Sequence, residues 1–217
     1  MIDSEFQAEP SSQPPDFPWP PRADDSAIEA LATTWRESVF QPASFFRRMP
    51  RESQIGWVLL YYLMIGVVVA GISLFWQMLL GPSLIDRWLW PDPAPEGNPV
   101  VDFLLSPVWL LIGLYAAAGG VHLMLLLVRG ARHGFGPTLR VFCFASGPQL
   151  FSVVPYIGPA VGGVWSLVIT VIGLREAHET TTGKAAAAIL IPLVLLLGVA
   201  VVVFVAAALL GLSGLAL

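Results

Sequence analysis

The chain has 217 residues, of which 56% are hydrophobic and 12% charged, with a net charge of −4 and a mean hydropathy of +0.73. That balance excludes an ordinary water-soluble domain, and the lack of any basic run excludes nucleic acid as a partner. Cys143 is the single cysteine, which excludes an intrachain disulfide or a zinc cluster built on cysteines.

Residues 1–23 are acidic and proline-rich, with Pro10, Pro14, Pro15, Pro18, Pro20 and Pro21 among Ser, Asp and Glu. They read as a disordered cytosolic tail, and no hydrophobic leader is expected there. Residues 24–55 form the next unit. Asp24, Asp25 and Ser26 offer helix caps before Ile28, Leu31, Ala32, Trp35 and Val39, which share a helical face. After Pro42 come Phe45, Phe46, Arg47 and Arg48, which the pattern assigns as cytosolic interface anchors: aromatics in the interface, arginines toward anionic headgroups. A helix docked on the inner face of the bundle accounts for the same pattern equally well.

From Gly56 onward, apolar segments follow one another with short breaks. Five read as membrane-spanning, at about 56–80, 106–129, 138–154, 156–174 and 185–210, followed by a short external tail, 211–217. A helix rising about 1.5 Å per residue needs roughly 20 apolar residues to cross a hydrocarbon core of about 30 Å, and only the third segment is short of that. The expected fold is therefore an all-α polytopic membrane helical bundle with five transmembrane helices. Ten of the eleven Lys and Arg residues fall on one side of this scheme and Arg87 alone on the other. The positive side faces the cytoplasm, so the N-terminus is expected inside and the C-terminus outside. The charges fit equally well if residues 138–174 form one re-entrant unit.

The loop 81–105 carries Asp86, Asp92, Glu96 and Asp102 with Pro91, Pro93 and Pro95, and Trp88 and Trp90 suit an outer aromatic belt. It reads as a solvated connection. His122 is the one ionisable side chain clearly inside a span, about 10 Å from Arg129 along the helix. Ser146 and Gln149 lie roughly 9–14 Å in from Arg140, so His122, Ser146 and Gln149 are expected to meet as an intramembrane polar cluster. The favoured role for His122 is one structural hydrogen bond between helices. Pro148, Pro155 and Pro159 mark the irregular part of the bundle, and Gly158 and Gly162, four apart, suit close helix contact. Arg175, Glu176, His178 and Glu179 lack the spacing of a metal or catalytic motif and read as interfacial anchoring. No catalytic residue, metal ligand or cofactor is expected.

The stretch from Arg140 to Pro192 has a distinctive order. A span broken at Pro148 leads to the tight turn Val154–Pro155–Tyr156–Ile157–Gly158, then to a span with Gly162, Gly163 and Trp165 ending in Ile172–Gly173–Leu174–Arg175. A short loop with His178 and Thr182–Gly183–Lys184 precedes the last span. This resembles the YIP1 domain family, and Pro42 to Pro50 resembles the lead into the first span of prokaryotic members. The resemblance covers about residues 35–210 and implies a five-span protein with a cytosolic N-terminus. Eukaryotic members are linked to vesicle traffic and Rab-type GTPases, but their Asp-Leu-Tyr-Gly-Pro motif is absent here, and Ser146–Gly147–Pro148 is only a partial echo of it. Arg outnumbers Lys ten to one, which suits a GC-rich bacterial genome and a place in the cell inner membrane. The function expected is a non-enzymatic scaffold or partner-recruiting protein acting in membrane organisation, with the bilayer and an unidentified protein as partners and small-residue faces that suit a homo-oligomer. A transporter or permease component is the alternative, and an intramembrane enzyme the third.

Overall fold

The computed structural model describes residues 17–22, 24–50, 54–81 and 98–214, with side chains to residue 206. Among the described residues there are helices and no strand. Two short helices, α1 (Ala27–Phe40) and α2 (Pro42–Arg48), precede α3 (Ile55–Leu80) and α4 (Pro99–Leu127). Next come α5 (Phe135–Phe144), a 3-10 segment (Gly147–Val153), α6 (Ile157–Ala177) and α7 (Thr182–Gly214). The polar stretch 1–16, residues 82–97 with Asp86, Trp88, Trp90, Asp92 and Glu96, and residues 215–217 of the expected external tail lie outside the described residues.

Among the described residues, four helices are long and apolar enough to cross a membrane: α3, α4, α6 and α7 over Thr182–Ala206. Much of their surface is exposed Leu, Val, Ile and Phe, especially along α7. Only hydrocarbon accepts such a surface at low cost while the helices satisfy their own backbone.

The expected third span, 138–154, is not a single helix. Pro148 has no N–H to give the Phe144 carbonyl, so α5 ends there and the chain continues as 3-10. The two pieces rise about 29 Å together. They run antiparallel along α6: Val141 lies against Gly173, Pro148 against Gly162 and Phe151 against Gly158. The glycine pair does what its spacing suggested. A Cβ at Gly162 would lie 2.6 Å from the Pro148 carbonyl oxygen, and one at Gly158 would overlap the carbonyl of Phe151.

The turn between them is tight because of Tyr156. Its φ of 65° and ψ of −55°, with Ile157 N–H donating to the Pro155 carbonyl at 2.8 Å, make the strained γ-turn of positive φ. Helix α4 begins at Pro99, seven residues before its expected start. The Asn98 side chain accepts from Val100 N–H, Pro99 fills the first helical position, and Asp102 sits in the first turn instead of the loop. The helix then runs through Pro107.

Candidate functional site

Three elements meet at the end of the bundle where α4 and α6 finish and α5 begins. His122 lies in the last two turns of α4, Thr138 in the first turn of α5, and His178 caps α6. Thr138 Oγ1 stands 2.9 Å from His122 Nδ1 and 2.8 Å from His178 Nε2. His133 N–H donates to His178 Nδ1 at 3.4 Å, and the His133 ring centroid lies 6.1 Å from that of His178. All three histidines of the chain thus gather in one place.

The partners assign the protons. With Nδ1 of His178 accepting, its Nε2–H donates to Thr138 Oγ1, and the Thr138 hydroxyl donates to His122 Nδ1. Thr138 and His178 are both 0% exposed, and burial demands the partners they have. The arrangement ties α4, α5 and α6 together through one hydroxyl. Among the described residues no group of three or more His, Cys, Asp or Glu is placed to hold a metal. Both rings instead direct a nitrogen at Thr138.

The expected cluster of His122, Ser146 and Gln149 does not form. Ser146 Oγ donates back to the Cys143 carbonyl at 2.7 Å, and Gln149 Nε2 donates to Ser166 Oγ at 3.3 Å. Helix α5 starts at Phe135 and Arg140 is buried within it, so the depth measured from Arg140 was offset and Thr138 is the residue level with His122. His178, read as an interfacial anchor, is a core residue. His133, on the short connection between α4 and α5, was the one available signal.

The aromatics of α2 are also core rather than lipid anchors. Phe45 and Phe46 are 0% and 2% exposed. Phe45 packs on Phe17, Phe46 and Phe144, and Phe46 lies against Gly173, which has no side chain in the way. Arg47 pairs with Glu176 at 3.4 Å and Arg48 with Glu37 at 2.6 Å. Three indoles complete the clamp. Trp19 donates to the Trp57 carbonyl at 2.7 Å, Trp35 to Gly147 at 2.9 Å and Trp165 to Val39 at 2.9 Å. Val39 has one of the last carbonyls of α1, which no helical N–H reaches. Trp165 is twelve residues, about 18 Å, before the end of α6, so α2 and the C-terminal half of α1 are wedged against α6, while Ile28 and Phe40 of α1 stay exposed. Phe17 and Trp19, expected within the disordered tail, are buried in the same core.

A family model for the Yip1 domain matches residues 36–210. The chain belongs to the Yip1 domain family. No curated protein and no solved structure matches it. The Yip1 domain begins inside α1 and contains the wedge from Arg36 onward, the α5 and α6 hairpin and the histidine cluster. Pro148, Pro155 and Pro159 lie in its 3-10 segment, its γ-turn and the first turn of α6. Phe17, Trp19 and Trp35 add contacts from outside the matched residues.

Proposed function

We propose that this Yip1 domain protein is a non-enzymatic membrane scaffold, whose polar leader, residues 1–16, recruits a protein partner to the cytosolic face of the cell inner membrane. The observation that carries the reading is the clamp. Phe17 and Trp19 are seated in the core, so the acidic, proline-rich residues before them are tethered to a fixed point on a rigid bundle. Such a leader gains effective concentration for a partner without needing a folded binding domain. The bundle crosses the bilayer five times in this reading, with α5 and the 3-10 segment as the third crossing. Their antiparallel run along α6 and the ten-to-one charge bias support that path, with the N-terminus inside and the C-terminus outside.

Two measurements test it. In spheroplasts, a membrane-impermeant maleimide should label the Ala216→Cys variant directly and the Ser11→Cys variant only after lysis, while buried Cys143 stays silent. Labelling of both termini from one side would overturn the five crossings. For recruitment, in-membrane crosslinking should capture a protein with the full chain and lose it on deletion of residues 1–16. That deletion spares the clamp. Capture that is unchanged by the deletion, or no capture by either form, would overturn recruitment through the leader.

A further inference from the structure

At the end of the bundle away from the histidines, the last turns of α3, the first turns of α4 and the γ-turn before α6 line a half-open cavity of about 680 Å³. That volume suits a small organic molecule or part of a lipid. From Leu80 it reaches inward to Ala70, roughly 15 Å along α3. Most of its wall is apolar, including Leu74, Trp76, Phe103 and Tyr156.

Its polar groups are arranged by depth. Gln77 and Asp102 are near the rim, and Ser73, Ser106 and Ser152 sit farther in. The hydroxyls of Ser106 and Ser152 have no hydrogen-bond partner among the described residues, although Ser152 is only 6% exposed. A buried hydroxyl without a partner is costly, and each can turn between three staggered positions to meet one. Pro107 adds a third open position, because it has no N–H to give the carbonyl of Phe103 on the cavity wall. Among the described residues lining the cavity, Asp102 is the one charged group and none is basic.

We propose that this cavity binds one amphiphile with a protonated amine head, an aminophospholipid of the surrounding bilayer. An ammonium group at the rim meets the Asp102 carboxylate and the faces of Trp76 and Tyr156, contacts that favour a cation over a neutral head. The serine hydroxyls donate to ester oxygens below it, and a hydrocarbon chain fills the apolar floor. An anionic lipid finds no cationic partner among the described residues of this rim. The site is independent of the recruiting leader.

The test uses the full chain in nanodiscs with a phosphatidylethanolamine analogue carrying a photoactivatable diazirine on its chain. Crosslinks mapped by mass spectrometry should fall on Trp76, Phe103 and Tyr156. Excess phosphatidylethanolamine should displace them, and excess phosphatidylglycerol should not. Dodecylammonium competing as well as the lipid, mole for mole, would mean that a free hydrophobic amine is the ligand and would overturn the lipid assignment. Asp102→Asn should weaken labelling about tenfold, the effect of one charge-assisted contact, while the variant stays folded. Labels spread along the lipid-facing side of α7, or equal competition by phosphatidylglycerol, would overturn the site.

Discussion

Gly158→Ala is expected to lower the unfolding free energy in detergent by about 3 kcal/mol or more, the upper range for overpacking a tight contact. The new methyl would overlap the carbonyl of Phe151, and backbone cannot swing aside as the end of a flexible side chain can. Gly162→Ala, 2.6 Å from the Pro148 carbonyl, should be the milder of the two. The matched control is Gly163→Ala on the same helix. It meets nothing within 4 Å, so it should be neutral or slightly stabilising. Thermal unfolding of the three variants, followed by tryptophan fluorescence, checks the order. If Gly158→Ala and Gly163→Ala melt alike, the 3-10 segment is not seated against α6.

Thr138→Val carries the second large effect. Valine keeps the shape of threonine but removes the hydroxyl that joins His122 Nδ1 to His178 Nε2. The buried Nε2 of His178 and the half-buried Nδ1 of His122 then lose their partner, at about 1–3 kcal/mol for the buried one and less for the other, so a loss near ~3 kcal/mol is expected. Thr138→Ser restores the hydroxyl and should recover most of it. His122→Leu leaves the Thr138 hydroxyl accepting from His178 and should cost less than Thr138→Val. Chemical or thermal unfolding of these variants gives the ranking, and a milder Thr138→Val than His122→Leu would refute the shared-hydroxyl arrangement. The geometry makes the cluster an interhelical tie, the role favoured for His122 from its isolation in an apolar span.

Much of the architecture was legible as hydropathy. The limits of α3 came within a residue, because lipid-facing helices are apolar on nearly every side and end where polar residues begin. The close contact at Gly158 and Gly162 was legible too, since a four-residue spacing of small residues repeats on one helix face. Helix α4 was less so. Pro107 resembles a helix start, but inside an apolar bundle the carbonyl it releases need not end the helix, and the true start is capped by Asn98 and Pro99.

The polar cluster was half legible. His122 stood out, but its partners did not, because depth in a bundle depends on where each helix starts and an error of three residues moves a side chain about 5 Å. The α2 aromatics show the same limit. Two phenylalanines beside two arginines describe a lipid interface and a protein core equally well, and only the packing of Phe45 on Phe144 and of Phe46 on Gly173 separates them. Composition and hydropathy by themselves determined a helical membrane bundle, because an apolar chain has one solvent that suits it and helices are the local way to satisfy its backbone there. The tertiary structure alone decided that α2 and the C-terminal half of α1 are wedged into that bundle, that one hydroxyl joins two histidines, and that a cavity remains at the other end. Those features depend on contacts between residues far apart in the chain, such as Trp35 with Gly147 and Thr138 with His178, and no local pattern encodes such a meeting.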